Sequence, residues 1–420
     1  MLIDGEFFYS NGALACEDVS LRQIAQEYGT PSYIYSKKAI VSRFRRYCHA
    51  LEGLRHRVCF AVKANSNLAV LATLAKEGAG FDIVSGGELY RVLAAGADAG
   101  SVVFSGVGKT EPEIRYAVES GIHSFNCESE AEVAEISRIA SSLGKVASVA
   151  LRVNPDVDAV THPYISTGLR EHKFGVAMEE APEIYRRIAA LPAIAPEGVS
   201  CHIGSQLLDP GPLMEATTKT IGLVSRLRAE GLPIRHLDLG GGIGVPYRHS
   251  DTSVDLGKVV GQLRVLVAPL GLTLMLEPGR SVVAQAGILL CRVTLTKHNG
   301  RKTFVVVDAG MNDLIRPALY QAHHEIIPVS SPSKDNETEV DVVGPVCETG
   351  DFFARGRRMP ELKAGDLIAI QTAGAYGFVL SSNYNSRPRA CELLVDGNRV
   401  LVARQRETYA DLVRGEVAGF

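Results

Sequence analysis

The stretch VCFAVKANSN, residues 58–67, joins an apolar run to a turn and carries one lysine at the junction. The apolar residues predict a buried strand, and Asn65 to Asn67 predict the turn that ends it. The segment that follows, SNLAVLATLAKEGA, has apolar residues at helical spacing and predicts a helix. A lysine at the end of a buried strand is unusual, because burying an ammonium group is costly. Lys63 is therefore a candidate functional residue.

The same alternation of strand and helix recurs from about residue 57 to 280. Eight such units within roughly 220 residues favour a (β/α)8 TIM barrel, although the pattern alone does not exclude an open, doubly wound sheet. The eight predicted strands are residues 58–64, 80–85, 102–106, 121–126, 146–154, 198–205, 234–242 and 272–279.

The pattern changes after Arg280, where strand-like runs such as KTFVVVDAG and GDLIAIQTAG are separated by Gly, Asp and Asn turns. This predicts a C-terminal β domain of the sandwich or barrel-like kind. The N-terminal stretch MLIDGEFFYSNGALACED predicts a strand and hairpin that join it. We therefore expect a barrel domain at 36–280 and a β domain at 1–35 and 281–420, with an exposed loop at 330–339.

Composition excludes several classes of protein. The 420 residues carry a net charge of −3, with 46% hydrophobic and 22% charged residues, which is ordinary for a soluble globular protein and indicates neither nucleic acid nor an anionic membrane as partner. The start lacks the features of a secretory signal, and no apolar run reaches the roughly 18 residues of a membrane span. The eight scattered cysteines contain no CxxC pair, so we expect no metal, no disulfide framework and a cytoplasmic location.

Polar residues recur where the predicted strands end, which is where barrel proteins carry their functional groups. A single polar residue at a strand end more often caps a helix or forms a hydrogen bond between loops. Because such residues occur at the ends of five strands, a functional site is favoured. The candidates are Lys63, Asp82, Ser85, Arg152, Asn154, His202, Ser205, Gly240, Gly241, Gly242, Glu277 and Arg280.

Three of these positions suggest one cofactor. The run LGGGIGVPY places Gly240–Gly242 after a strand, where backbone N–H groups can approach a phosphate, although a tight turn without ligand is equally consistent. His202 has no metal-spaced partner but could stack on an aromatic ring, and Glu277 could pair with a protonated pyridine nitrogen. With an amine at Lys63, this set meets the needs of pyridoxal 5′-phosphate.

Two later segments have open interpretations. GPVCETGD, residues 344–351, places Cys347 beside Glu348 between glycines, which suggests an exposed site loop or an inert thiol. TAGAYGFVLSSNYNSRP, residues 372–388, is either a connecting loop or a ligand contact.

Eight ordered motifs between about residues 3 and 415 closely resemble the diaminopimelate decarboxylase family, pyridoxal-phosphate enzymes with an alanine-racemase-like barrel and a β domain. The motifs are FAVKANSN, GFDIVSGGELYR, HIGSQ, GGGIGVPY, EPGRSVVAQAG, DAGMNDLIRPALY, GPVCETGD and GAYGFVLSSNYNSRPR.

The resemblance implies roles for most of these residues, and the sequence does not depart from the family pattern at those positions. Lys63 would be the Schiff-base lysine, His202 would stack on the cofactor ring and Glu277 would pair with its nitrogen. Cys347 would act near the reacting carbon, and it and Glu348 would come from the second subunit of a homodimer. The remaining cofactor contacts would be Asp82, Arg152, Ser205, Gly240, Gly241, Gly242, Gly279, Arg280 and Tyr376, and the substrate contacts Arg280, Arg316, Tyr320, Glu348 and Tyr376.

The implied reaction is decarboxylation of meso-diaminopimelate to L-lysine, the last step of lysine biosynthesis. Arg316 and Glu348 provide the two signs of charge needed by the substrate's second amino acid centre. The alternatives are a related decarboxylase of ornithine, lysine, arginine, carboxynorspermidine or a carrier-linked glutamyl group, and a non-catalytic relative that binds a partner. An alanine-racemase-type enzyme would leave Arg316, Cys347 and Glu348 unexplained.

Overall fold

A computed structural model describes residues 5–157, 173–331 and 337–419. The chain forms two compact units. The barrel unit contains Ser42–Val245 and Thr252–Val282, and the β unit contains Met1–Val41, Pro246–Asp251 and Val283–Phe420. The predicted domain boundaries at 36 and 280 stay a prediction. Residues 332–336 of the predicted loop at 330–339 lie outside the described residues.

Twenty-one strands are described in chain order. They are β1 (Phe7–Ser10), β2 (Ala13–Cys16), β3 (Val19–Ser20), β4 (Ser32–Ser36), β5 (His56–Ala61), β6 (Gly80–Ile83), β7 (Val102–Phe104), β8 (Ser124–Cys127), β9 (Ala147–Asn154), β10 (Val176–Ala177), β11 (Ile194–Ser200), β12 (His236–Asp238), β13 (Thr273–Leu276), β14 (Gly287–Asn299), β15 (Lys302–Val307), β16 (Ile326–Pro328), β17 (Glu337–Val343), β18 (Phe352–Pro360), β19 (Leu367–Ile370), β20 (Cys391–Asp396) and β21 (Arg399–Arg404).

Twelve α-helices are described, with short 3₁₀ turns at Val62–Ala64, Ala99–Ser101, Ala268–Leu270, Phe378–Leu380 and Tyr384–Ser386. The helices are α1 (Leu21–Glu27), α2 (Lys37–Leu51), α3 (Leu68–Lys76), α4 (Gly86–Ala94), α5 (Glu111–Ser120), α6 (Glu130–Ser142), α7 (Ala181–Ala189), α8 (Gly211–Ala229), α9 (Leu256–Val267), α10 (Arg280–Val283), α11 (Arg316–Tyr320) and α12 (Tyr409–Leu412).

The barrel unit is a closed ring of eight parallel strands, which confirms the predicted (β/α)8 fold. The ring runs β5, β6, β7, β8, β9, β11, β12 and β13, and the pairing of β13 with β5 closes it. Its strands are short and apolar, with Phe60, Phe81, Phe104 and Phe125 fully buried. All eight predicted strands are found, and the open-sheet alternative is excluded.

Side-chain caps explain why helices begin soon after strands end. The Asn67 side chain accepts a hydrogen bond from the N–H of Ala69 at the start of α3, and Ser85 and Ser129 cap α4 and α6 in the same way. The predicted strand ends at residues 64, 205 and 242 are wrong, because the strands end at Ala61, Ser200 and Asp238. Lys63, His202 and the three glycines therefore lie on the loops that follow the strands.

The β unit is built around the long strand β14. This strand pairs antiparallel with β4, β15 and β19, and the sheet continues through β17 and β18 on one side and through β20 and β21 on the other. The N-terminal strands β1, β2 and β3 form a separate antiparallel sheet. Their side chains share a core with those of β4, β14 and β20, as Leu14, Ile34, Leu290 and Leu393 show. The expectation that the N-terminal strand joins the β domain is confirmed.

In the ranges given above, none of the helices has the length and apolarity to cross a membrane. The same described residues contain no group of three or more His, Cys, Asp or Glu side chains that could hold a metal ion.

Candidate active site

Lys63 lies at the C-terminal end of the barrel strands, in the 3₁₀ turn that follows β5. Its Nζ donates to Oδ2 of Asp82 at 2.6 Å. Asp82 is on the neighbouring strand β6 and is fully buried, whereas 37% of the Lys63 side chain is exposed. The amine is therefore fixed at one end by a buried carboxylate and remains accessible from the mouth of the barrel.

A pair of buried acids lies near Lys63. Asp238 ends β12 and Glu277 follows β13, and both are buried. The Nδ2 amide of Asn126, in β8, donates to Oδ2 of Asp238 at 2.9 Å and to Oε1 of Glu277 at 3.2 Å. Ser105 Oγ donates to the same Glu277 oxygen at 3.4 Å. One amide thus joins the two carboxyl groups.

Burial controls the protonation of this acid pair. Desolvation raises the pKa of Glu277 well above its ordinary value, the Asp238 and Asp82 carboxylates raise it further, and Lys63 opposes them. Desolvation also raises the pKa of Asp238. Because two such groups cannot both ionise easily in a desolvated site, the pair favours sharing a proton until a positive group approaches.

The glycine run approaches this site through its backbone. A Cβ on Gly241 would lie 2.2 Å from the carbonyl oxygen of Glu277, and one on Gly240 would lie 2.5 Å from Nδ1 of His202. A Cβ on Gly279 would lie 2.9 Å from that of Ala64, beside Lys63. Glycine is needed at these positions because the loops after β5, β11, β12 and β13 approach one another too closely for a further side chain.

His202 follows β11 and is held from behind by Arg152. The Arg152 guanidinium donates to the His202 carbonyl at 3.2 Å and to Oε1 of Glu128 at 3.1 Å. Desolvation lowers the pKa of His202 well below its ordinary value, and the nearby charges of Arg152 and Lys63 lower it further. The ring is therefore neutral at physiological pH, which suits stacking on a flat ligand.

Arg280 and Ser205 meet at the same end of the barrel. The Arg280 NH2 group donates to Ser205 Oγ at 3.1 Å, and Arg280 is itself buried at the start of α10. The structure therefore connects the barrel candidates through contacts of their own loops. These connected residues are Lys63, Asp82, Arg152, His202, Ser205, Gly240, Gly241, Gly242, Glu277, Gly279 and Arg280.

The other candidates belong to the β unit. Arg316 and Tyr320 are the first and last residues of α11, so they lie one turn apart on one face. Cys347 and Glu348 are exposed, the backbone N–H of Cys347 donates to Oδ1 of Asn385 at 2.8 Å, and Tyr384 OH donates to Oε2 of Glu348 at 3.4 Å. The loops at 344–351 and 372–388 are thus brought together.

Tyr376 is half-buried in the second of these loops, with a left-handed φ of 55°. A non-glycine residue with such a φ is uncommon and is often held in place by its surroundings for a functional purpose. This position is consistent with a ligand contact in the loop at 372–388.

Sequence reasoning missed Asp238, Asn126 and Ser105. Asp238 lies between two leucines in HLDLGGG, two residues before the glycine run, and Asn126 is the residue before the last of β8. Both follow the rule that selected the other candidates, a polar residue at the end of a barrel strand. The sequence therefore contains the signal for these residues. Which of them contact one another is decided by the closure of the strand ring and cannot be read from the local sequence.

The comparisons agree with this architecture. Residues 37–284 match the family model described as "Pyridoxal-dependent decarboxylase, pyridoxal binding domain". The chain is 54% identical to the diaminopimelate decarboxylase of Pseudomonas aeruginosa, covering 98% of each chain, and 48% identical to that of Vibrio cholerae, covering 96% of this chain and 97% of the other.

Solved structures give the same result. The crystal structure of diaminopimelate decarboxylase from M. jannaschii has a TM-score of 0.95 at 37% identity and covers 100% of this chain and 99% of that one. The structure from Helicobacter pylori complexed with L-lysine has a TM-score of 0.91 at 44% identity and covers 94% of this chain and 98% of that one. The fold and site thus define a pyridoxal-dependent decarboxylase, a carboxy-lyase. Within that class, the chain belongs to the diaminopimelate decarboxylase family.

The barrel mouth fits the cofactor of this family. Asp82, Asp238 and Glu277 are three buried carboxyl groups, and the Lys63 ammonium pairs with one of them. A protonated pyridine nitrogen would balance the excess of negative charge. The Lys63 amine suits an aldehyde, and the backbone of Gly240–Gly242 suits a phosphate.

Proposed function

We propose that this chain binds pyridoxal 5′-phosphate and decarboxylates meso-diaminopimelate to L-lysine and CO2. The observation that carries the proposal is the barrel mouth, where an accessible lysine lies in an excess of buried carboxyl groups. The related enzymes from Pseudomonas aeruginosa and Vibrio cholerae, which carry the name diaminopimelate decarboxylase, support the substrate.

In this proposal the barrel residues hold and tune the cofactor. Lys63 binds it covalently, His202 packs against its ring, and Glu277 faces its ring nitrogen with Asp238 behind. Ser205, Gly240–Gly242 and Tyr376 hold the phosphate, while Asp82, Arg152, Gly279 and Arg280 support these groups. When bound, the cofactor supplies an electron sink for the pair of electrons that the departing CO2 leaves behind.

The remaining residues orient the substrate. Arg280, Arg316, Tyr320 and Tyr376 bind it, and Arg316 takes the carboxylate at the end that does not react. Arginine suits this role because its planar fork binds a carboxylate through two parallel hydrogen bonds. Glu348 takes the ammonium group of that end, and Cys347 delivers a proton to the carbon that has lost CO2.

We also propose a cytoplasmic homodimer in which Cys347 and Glu348 serve the partner's site. Mixing a Lys63→Ala variant with a Cys347→Ala variant tests this directly. Two inactive proteins that regain activity after subunit exchange would support shared sites. Failure to regain activity, with native mass spectrometry of differently tagged variants showing mixed dimers, would contradict them.

The experiment that tests the reaction offers the protein three substrates in parallel, with pyridoxal phosphate present. We expect meso-diaminopimelate to yield CO2 and L-lysine, and L-lysine and L-ornithine to yield no CO2. Release of CO2 from ornithine or lysine at a comparable rate would favour the related-decarboxylase alternative. Cofactor binding without CO2 from any of several amino acids would favour the non-catalytic relative.

An Arg316→Ala variant tests the substrate assignment separately. It removes the cation for the non-reacting carboxylate, so kcat/KM for meso-diaminopimelate should fall far more than the affinity for pyridoxal phosphate. Loss of one charged, buried interaction corresponds to about 3–5 kcal/mol, or roughly 10²- to 5 × 10³-fold. An unchanged kcat/KM would overturn the assignment of Arg316.

A further inference from the structure

The guanidinium of Arg316 contacts the rings of His324 and Tyr247 in the β unit. Its NH1 lies 2.8 Å from Nε2 of His324, and its carbon Cζ lies 4.6 Å from the centre of the Tyr247 ring. The Tyr247 and His324 rings meet edge to face, with centres 5.3 Å apart and planes at 82°. The three side chains therefore contact one another pairwise.

The hydrogen bonds of His324 fix its tautomer. Its Nδ1 lies 2.8 Å from the carbonyl oxygen of Gln371, which can only accept, so Nδ1 must carry the proton. Its Nε2 faces Arg316, and a guanidinium can only donate, so Nε2 must be the acceptor. His324 is thus a neutral imidazole that receives a hydrogen bond from a cation.

The backbone around His324 is fixed as well. The residue is fully buried, and its carbonyl oxygen accepts hydrogen bonds from both NH1 and NH2 of Arg357, each at 3.1 Å. Two residues later β16 begins, and its first residue, Ile326, pairs with Ile370 of β19, the residue before Gln371. His324 therefore lies just before one strand and its partner carbonyl just after the paired strand. The imidazole cannot turn without breaking its hydrogen bonds to Gln371 and Arg316.

His324 and Tyr247 hold the guanidinium of Arg316 through uncharged groups. Anchoring NH1 on His324 and one face on Tyr247 sets both the position and the plane of the guanidinium. Neither contact carries a negative charge, so neither competes with a carboxylate for Arg316. An Asp or Glu at position 324 would hold Arg316 equally firmly, but its carboxylate would also occupy the guanidinium in place of the substrate carboxylate.

We propose that His324 is a positioning residue that holds Arg316 in the orientation needed to bind the carboxylate at the non-reacting end of the substrate. The inference rests on the proposed function and deepens it, because it names what makes that end selective. Tyr247 is the second support of the same guanidinium.

The product and its decarboxylated analogue provide the probes. L-Lysine keeps the carboxylate of the non-reacting end, whereas cadaverine, its diamine, lacks it. Binding of each to the cofactor-loaded protein is measured by calorimetry for the wild type and for His324→Phe, which removes the acceptor but keeps a ring. We expect Kd for L-lysine to rise about tenfold or more and Kd for cadaverine to change less than about twofold.

Kinetics give an independent readout. The non-reacting carboxylate is bound equally before and during the reaction, so its misplacement should raise KM for meso-diaminopimelate about tenfold while kcat changes less than about twofold. His324→Gln, whose side-chain oxygen can accept the same hydrogen bond, should recover most of the affinity. Tyr247→Leu, which removes the aromatic face, should weaken the binding of L-lysine about threefold or more.

Two controls separate positioning from general damage. His298→Gln changes an exposed histidine of β14, whose ring contacts Thr303, and should leave both affinities within about twofold of wild type. In an Arg316→Ala background, His324→Phe should cause no further loss, because it acts through Arg316.

The outcomes distinguish this inference from the proposed function. The positioning role is overturned, and the proposed function stands, in either of two cases. In the first, Arg316→Ala weakens the binding of L-lysine but His324→Phe does not. In the second, His324→Phe weakens the binding of cadaverine as much as that of L-lysine. If Arg316→Ala itself leaves L-lysine affinity unchanged, the assignment of Arg316 is wrong and the inference is overturned with it.

Discussion

The two ends of the barrel both bury ionisable groups, but they do so with opposite consequences. Strand β12 shows the contrast within three residues, because His236 begins it and Asp238 ends it. At the C-terminal end, carboxyl groups with raised pKa values outnumber the lysine they face. At the N-terminal end, burial lowers the pKa of His236 to about 3 and that of His123 to about 4, and the two rings lie 5.7 Å apart.

The comparison shows that a perturbed pKa does not by itself indicate a site. At the N-terminal end the imidazoles are neutral and fill space: a Cβ on Gly198 would lie 1.9 Å from Nε2 of His236. At the C-terminal end the carboxyl groups have raised pKa values, face an accessible amine and would be balanced by a cation. We therefore expect changes at one end to reduce activity, and changes at the other to alter stability.

The largest expected effect is at Lys63. Lys63→Ala removes the amine that would bind the cofactor covalently, so kcat should fall about 10⁴-fold or more. The measurement is CO2 release, with the absorbance of protein-bound pyridoxal phosphate as a second readout. Lys76→Ala, a lysine in the last turn of α3, is the matched control and should behave as wild type. Activity within tenfold of wild type in Lys63→Ala would remove the basis of the proposed chemistry.

Glu277→Gln is expected to have the next largest effect. The amide keeps the size of the side chain but cannot carry the negative charge that favours a protonated ring nitrogen, so kcat should fall about 10²- to 10³-fold. Bound cofactor should remain detectable by its absorbance. Glu230→Gln, at the end of α8, is the control for a change of charge elsewhere in the barrel. A kcat within threefold of wild type would show that Glu277 is not the acid that faces the ring.

Much of the barrel could be predicted because its signals are local. Most strands are short apolar runs followed by a Gly, Asn or Pro turn, and several helices begin at their own side-chain cap. The polar residues that end these strands, such as Lys63 and Glu277, could be selected for the same reason. The exact strand ends were less predictable, since Val62 is as apolar as the strand before it yet belongs to a 3₁₀ turn.

The contacts that sequence reasoning missed depend on long-range pairing. Asn126 reaches Asp238 and Glu277, 112 and 151 residues away, only because the ring of strands closes. Tyr247 contacts Arg316 and His324 because the segment Pro246–Asp251 belongs to the β unit, although it lies within the barrel sequence. No local pattern in the sequence around residue 247 indicates this departure.

Gly241→Ala tests the C-terminal end without changing a charge. The new Cβ would lie 2.2 Å from the Glu277 carbonyl oxygen and 3.0 Å from its carbon, so the backbone behind Glu277 must move. We expect the affinity for pyridoxal phosphate to fall about tenfold to 100-fold, corresponding to about 1–3 kcal/mol. The measurement is a titration of the cofactor-free protein.

The matched control for Gly241→Ala is Gly261→Ala. Gly261 is in the helix α9, and a Cβ added to it would have no neighbouring atom within 4 Å outside its own helix backbone. This substitution should leave cofactor affinity unchanged and stabilise the protein by about 0.5–1 kcal/mol through helix propensity. Equal cofactor affinity in the two variants would mean that the close approach of Gly241 to Glu277 does not organise the site.

The smallest expected effect is at the N-terminal end, where His236 should affect the pH dependence of stability. Burial lowers its pKa in the folded protein from 6.5 to about 3. The folded state therefore keeps the ring neutral, while the unfolded chain takes up a proton below about pH 6.5. The contribution of His236 to stability is fully present above pH 6.5 and is lost as the pH falls from 6.5 toward 3.

His236→Gln removes this proton uptake. Between about pH 7.5 and pH 5, the free energy of unfolding of the variant should fall by about 2 kcal/mol less than that of the wild type. Denaturant titration at the two pH values measures the change in the free energy of unfolding for each protein. A destabilisation that is the same at both pH values cancels from this change. His123→Gln should act in the same direction, and His298→Gln, at an exposed histidine of β14, should not. Equal pH dependence in wild type and His236→Gln would show that His236 can take up a proton in the folded protein. Burial would then not explain the contrast between the two ends of the barrel.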